Sequence, residues 1–431
     1  MRHLYSLILL LLLPLVVIHL GWLSLRNPGY RQRWLERFGF IPAQPGTPTI
    51  WLHAASVGEV QAAAPLVDRL QNQYADYRLV ITTMTPTGAR AARQRFGGSV
   101  THFYLPYDLP FMVRRFIHQL QPSIVLVMEM ELWPNLFRAC RRAGIPLVLI
   151  NARMSARSAA GYARVPGLAR ATLNDVSLVA AQSQADAERL IKLGARPAST
   201  VVSGNLKFDI RQPHSITEQA QVLRRTLSVN RPVWIAASTH EGEEKILLDA
   251  FEAVLERYPD CLLMLAPRHP ERFDRVADLC RRRGFSIVRR QQEAAAVSAA
   301  TRIYLVDSLG ELPVCYAASD IAFVGGSLVN IGGHNMLEPA SLAVPVLTGP
   351  YHFNFTEITS VLTGQGAAWV VNDSDELAAK VLDLLADANL RYQAGQNARR
   401  IVEDNAGGVE ALMKLLQGLL DGIGTGIGRT S

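Results

Sequence analysis

Residues 325–340 read GGSLVNIGGHNMLEPA and follow at once on the apolar run IAFV at 321–324. An apolar run closed by two glycines reads as a buried strand entering a sharp turn, because residues without Cβ tolerate such backbone. Gly332 and Gly333 then leave the chain bare ahead of a helix expected from about Asn335. Free N–H groups at such a helix start, reinforced by its dipole, expose donors to a phosphate. Asn335 is placed to cap that helix, and Glu338, one turn in, to hold a ribose hydroxyl. The spacing is neither GxGxxG nor a Walker loop, which turns the reading away from dinucleotides and ATP. Glycines alone would be ordinary loop residues; His334, Asn335 and Glu338 beside them make the stretch specific.

Outward from this segment the same pattern recurs in both directions. PVWIAAST (232–239), CLLMLAPR (261–268), FSIVRR (285–290), TRIYLVD (301–307), VPVLTGP (344–350) and AAWVVN (367–372) read as strands, most of them separated by amphipathic helical stretches. The first half alternates likewise, from TIWLHAAS (49–56) through SIVLVMEM (123–130) to STVVSGNLKFD (199–209). Strands alternating with helices specify parallel sheets covered on both faces. At 431 residues the chain exceeds one core. The expected fold is therefore α/β: two Rossmann-like domains facing a cleft, 26–212 and 213–431, with a polar connection near 210–231. In such sheets ligands bind beyond the carboxyl ends of the strands.

The segment 1–25 stands apart. Leu4 to Leu25 carries no formal charge and is long enough to cross a bilayer core of roughly 30 Å. A cleaved signal peptide is the alternative, but no A-x-A site follows. Arg26, Arg31, Arg33 and Arg37 come after the run against Arg2 before it, which places the remainder on the cytoplasmic side. Cys140, Cys261, Cys280 and Cys315 are far apart and share no metal-binding or disulfide spacing. The net charge of +7 comes from scattered arginine without a nucleic-acid motif, and suits an anionic lipid surface.

Several residues carry chemistry by type and place. Glu59 follows a glycine at a strand-to-helix turn, where a carboxylate can serve as a base or merely complement the helix dipole. Glu129 and Glu131, in MEMELWP, end an apolar strand, and period-two alternation puts both on one face. Lys207, one of five lysines, sits in GNLKFD. Arg268, in LAPRHP, offers a planar fork suited to phosphate. Leu309, Gly310 and Glu311 mark another strand-to-helix turn, whose backbone can read a base edge. STHEGEE (238–244) is also a candidate lining segment without an assigned role.

Taken in order, WLHAASVGEV (51–60), MEMELWPN (128–135), INARMSARS (150–158), GNLKFD (204–209), APRHPERF (266–273) and GGSLVNIGGHNMLEPA resemble the bacterial 3-deoxy-D-manno-octulosonic acid (Kdo) transferases of lipopolysaccharide synthesis. These are GT-B glycosyltransferases with an amino-terminal membrane anchor. The resemblance covers nearly the whole chain. It implies Glu59 as catalytic base, with Glu129 and Lys207 near the transition state and Glu131 structural. It implies a cytidine monophosphate (CMP) pocket of Pro267, Arg268, Leu309, Gly310, Glu311, Asn335, Met336, Leu337 and Glu338. It also implies no metal and no cofactor, a CMP-Kdo donor, the lipid A precursor as acceptor, and the inner membrane as location. Arg31, Arg33 and Arg37 would attract the acceptor's phosphates, and a carboxyl-terminal helix would cross back to the first half. The competing readings are a different GT-B enzyme with a uridine diphosphate donor, or a tethered nucleotide-binding protein without catalysis.

Overall fold

The computed structural model describes residues 1–210, 212–213, 215–292 and 297–424. They form two compact units: Met1–Asp209 joined by the chain from Ala406 onward, and Ile210–Asn405.

The first unit is built on β1 (Thr49–His53), β2 (Arg78–Thr83), β3 (Thr101–Tyr104), β4 (Pro122–Met128), β5 (Leu147–Ala152), β6 (Leu178–Ala181) and β7 (Thr200–Val202). They pair in parallel in the order β3-β2-β1-β4-β5-β6-β7. Ile124 to Met128 are wholly buried, as a strand covered on both faces requires. Alternation divides β1 between two cores. Ile50 and Leu52 pack with the helix Val57–Gln73 (α2), while Trp51 faces the other way against Phe116.

The second unit repeats the plan with β8 (Val233–Thr239), β9 (Leu262–Pro267), β10 (Ile287–Arg289), β11 (Ile303–Leu305), β12 (Ile321–Val324), β13 (Val346–Thr348) and β14 (Ala368–Val370). Their order is β10-β11-β9-β8-β12-β13-β14, again parallel. Every strand expected from the sequence has its counterpart. Helices at Ala156–Tyr162, Pro166–Leu173 and Thr356–Gly364 were not anticipated. The first two are short and their periodicity is weak.

The boundary at 212/213 and the assignment of all residues to 431 to the second unit need correction. The helix Gly408–Gly424 belongs to the first unit. Its Leu412, Met413, Leu416 and Leu420 fill the core beside Leu66 and Leu70 of α2. Asp209 caps its start, accepting from the N–H groups of Gly407 (2.7 Å) and Val409 (2.8 Å). Those two bonds satisfy donors that a helix start otherwise leaves open.

Arg2–Arg26 forms α1, long and apolar enough to cross a membrane by length and composition. Its two ends are tied to the first unit. Arg2 pairs with Asp175 at 2.8 Å and Ser6 bonds Asn135, while near the other end Ser24 donates to the Tyr30 carbonyl. Leu11, Leu15 and Ile18 remain exposed.

Candidate active site

In the first unit the sheet's carboxyl edge collects the acidic residues. Ser56 caps α2 by accepting from the Glu59 N–H, which fixes the glutamate in the first turn. The carboxylate turns back onto that turn: one oxygen accepts from the Ala55 N–H at 2.9 Å, the other from the Ser56 hydroxyl at 3.0 Å. Burial pushes its carboxyl up to about 7 against the pull of the Ala55 N–H, and the nearby Glu129 and Glu131 push the same way. The group is thus a cap and, at the same time, a carboxyl able to exchange a proton near neutral pH.

Period-two alternation does not govern Glu129 and Glu131, because β4 ends at Met128. Glu129 adopts φ 52°, a left-handed conformation that a side-chain-bearing residue keeps only where its surroundings impose it. The two glutamates consequently meet different partners. Glu129 pairs with Lys207 at 3.1 Å. Glu131 accepts from His53 Nε2 at 2.6 Å and from Trp133 Nε1 at 3.0 Å. Burial would raise the Glu131 carboxyl, but His53 and Trp133 together hold it below its usual range.

His53 had no role by sequence, although it lies inside WLHAAS. It is fully buried, with Nδ1 2.9 Å from Thr82 Oγ1, which in turn accepts from Trp51 Nε1. Lys207 is held by its short turn: Asn205 accepts from its N–H, and Asn151 accepts from that of Leu206. The first unit therefore brings His53, Glu59, Glu129, Glu131 and Lys207 to one edge of one sheet.

In the second unit the loop after β12 differs from expectation. The N–H groups of Gly325 to Leu328 and of Gly333 do not stand open for a phosphate. Glu243, fully buried, accepts from His240, Gly326, Ser327 and Leu328 at 2.7–2.9 Å. The Gly325 N–H goes to Ala237 and the Gly333 N–H to Gly326. The glycines are required for closeness instead. A Cβ on Gly325 would lie 2.8 Å from the Ser238 carbonyl, and one on Gly326, at φ 69°, would lie 2.9 Å from the His334 ring. Glu243 and His240 belong to STHEGEE, where carboxylates directly after a strand were the available signal.

The helix expected from Asn335 is the single turn Leu337–Ser341. Asn335 accepts from the Leu337 N–H and donates to Glu338 at 3.3 Å. Burial raises the Glu338 carboxyl, while Asn335 and the charge of Arg268 pull it down. Arg268 is exposed at the end of β9, after Pro267. His334 stacks on His240, their Nε2 atoms 2.8 Å apart, and His240 meets His269 edge-on. Burial pushes His334 down to about 3, helped by His240 and Arg268, so it is neutral at pH 7. Gly310 has φ 84° and Leu309 is exposed; Glu311 is held low by Arg290 at 2.9 Å. Met336 and Leu337 are buried. Pro267 ends β9 and Arg268 follows it, Leu309–Glu311 follow β11 and Asn335–Glu338 follow β12, and so they share the carboxyl edge of this sheet.

Of the arginines expected to attract phosphate, Arg33 is engaged by Glu36 and Arg37 is buried.

Comparison with known proteins bears on both units. Residues 32–210 match the family described as 3-deoxy-D-manno-octulosonic-acid transferase, and 235–401 match glycosyl transferases group 1. A 3-deoxy-D-manno-octulosonic acid transferase of Haemophilus influenzae is 43% identical over 97% of this chain and 99% of its own. One from Bordetella pertussis is 34% identical over 96% and 99%. A crystal structure of a UDP-N-acetylglucosamine 2-epimerase from Listeria monocytogenes shares the fold. Its TM-score is 0.53 at 17% identity, over 88% of this chain and 98% of that one.

Proposed function

The chain belongs to the Kdo transferase family of GT-B glycosyltransferases, and from that premise we propose how it carries out Kdo transfer and on which substrates. The donor is CMP-Kdo and the acceptor a hydroxyl of the lipid A precursor, lipid IVA. Glu59 accepts the proton of that hydroxyl as its oxygen bonds to the anomeric carbon of Kdo. The bond from that carbon to the phosphate oxygen breaks, CMP departs with the electron pair, and the anomeric configuration inverts. Lys207, paired with Glu129, offsets negative charge in the oxocarbenium-like transition state. Arg268 takes the leaving phosphate and Glu338 the ribose, with Leu309–Glu311 reading the base and Met336–Leu337 supporting Asn335.

The observation that carries this reading is the Glu59 carboxylate held by neutral donors alone at the sheet edge it shares with the Glu129–Lys207 pair, where burial raises its carboxyl to about 7. A general base works best with a pKa near the operating pH. The reaction runs without a metal, so added chelator should leave its rate unchanged. The chain works at the inner membrane, its catalytic units on the cytoplasmic face, with α1 as the anchor.

The test is direct. Purified protein is incubated with CMP-Kdo and lipid IVA, and the lipid product is weighed by mass spectrometry. A mass gain of one or more Kdo units in the wild type, lost in Glu59→Gln, is the expected result. CMP binding without a mass gain would leave a tethered nucleotide-binding protein instead.

A further inference from the structure

An open groove of about 400 Å³ runs beside α1 within the first unit. Val16 and Leu20 form one wall; Tyr30, Met84 and Tyr107 form the other, so the lining is almost wholly apolar. Its size falls in the range of ligand pockets, roughly 300–1,000 Å³. Two lining residues carry basic side chains, His19 and Arg37, and Arg37 is only 4% exposed. Its guanidinium lies 4.1 Å from the Tyr104 ring centre and 5.8 Å from that of Tyr30, and its Nη2 has no hydrogen-bond partner among the described residues. A buried charged donor left unpaired is costly, which makes it a position where a ligand oxygen gains more than water would.

The groove also has an address. The Met84 N–H donates to the Ala55 carbonyl, and the Ala55 N–H donates to Glu59. One residue therefore joins the groove wall to the turn that holds the proposed base.

We propose that this groove seats one acyl chain of the amphipathic acceptor, with a head-group oxygen accepting from Arg37 Nη2. The inference rests on the reading of Glu59 as the acceptor-side base. Apolar walls around a buried arginine suit an acylated anion. A soluble sugar phosphate would leave the walls unfilled, and a plain hydrocarbon would leave Arg37 unpaired. Adjacency to the Ala55–Glu59 turn favours the acceptor over a bulk membrane lipid.

The experiment uses the full chain in detergent micelles without donor, so that binding is read apart from transfer. Lipid IVA with a diazirine on an acyl chain is photolysed, and labelled residues are mapped by mass spectrometry. Label at Val16, Tyr30, Met84 or Tyr107, competed by unlabelled lipid IVA and not by tenfold phosphatidylglycerol, is expected. Label confined to the outer face at Leu7 and Leu11, or competed equally by phosphatidylglycerol, would overturn the assignment. Val16→Trp should raise the Kd for lipid IVA at least tenfold and leave that for its fully deacylated form unchanged. Leu11→Trp, on the outer face, should change neither. An equal loss for both acceptors in Val16→Trp would also overturn it. Groove labelling without Kdo transfer would sink the proposed reaction alone; transfer without groove labelling would sink the groove alone.

Discussion

The two units share a seven-stranded parallel plan and put their notable residues at the same edge of the sheet, yet they treat charge in opposite ways. In the first, three carboxyl groups are gathered, and only Glu129 and Glu131 have partners that bear or share charge. Glu59 is left with neutral donors and a raised pKa. In the second, Glu243 is sealed beneath four N–H groups and Glu311 is paired with Arg290, while Arg268 stands exposed beside the histidines. One arrangement leaves a carboxyl free to take up a proton near neutral pH; the other fixes a carboxylate in place. A single architecture supports either, depending on where acids are satisfied.

Mutations that sharpen or break this contrast can be ranked. Glu59→Gln should lower kcat by about 10²–10⁴-fold, the usual contribution of a general base, with donor affinity unchanged; transfer assays alongside CMP-Kdo titration check both. Glu243→Ala should destabilise the loop by several kcal/mol, since each buried N–H left unsatisfied costs about 1–3 kcal/mol. Hydrogen exchange at the amides of Gly326–Leu328 would read it, and unchanged protection there would show that the loop does not depend on Glu243. Leu416→Ala should cost about 2–5 kcal/mol in the first unit alone. Faster exchange in the second unit's strands would contradict the placement of the last helix. Glu338→Ala should weaken donor affinity by about tenfold, one well-made hydrogen bond, with kcat little altered, the mirror image of Glu59→Gln.

The strands were legible because a parallel sheet covered on both faces demands continuous apolar runs, and IVLVM or IAFV permits no other reading. Their order was not, since pairing is decided by crossovers that leave no local mark. Only the family resemblance sends the last helix back to the first unit, as its packing bears out, because Leu412 and Leu416 announce an apolar face without saying whose core it fills. Glu59, Glu129 and Lys207 were found by type and place, but the partners that separate Glu129 from Glu131 arise from a left-handed residue just past β4. His53 and Glu243 were missed because a buried polar side chain is defined by what surrounds it. The glycines divide: Gly325 and Gly326 serve the close, sharp turn expected of residues without Cβ, while the Gly333 N–H, expected to face a phosphate, goes to the Gly326 carbonyl.

The pH dependence of kcat/KM for the acceptor, measured at saturating CMP-Kdo, tests the Glu59 assignment most directly. A base with its carboxyl near 7 must be ionised to act. The rate should therefore climb about tenfold per pH unit below that value and level off above it. Glu59→Gln should show a low rate without that limb. A wild-type profile flat from pH 5 to 8, or the same limb surviving in Glu59→Gln, would contradict Glu59 as the proton acceptor.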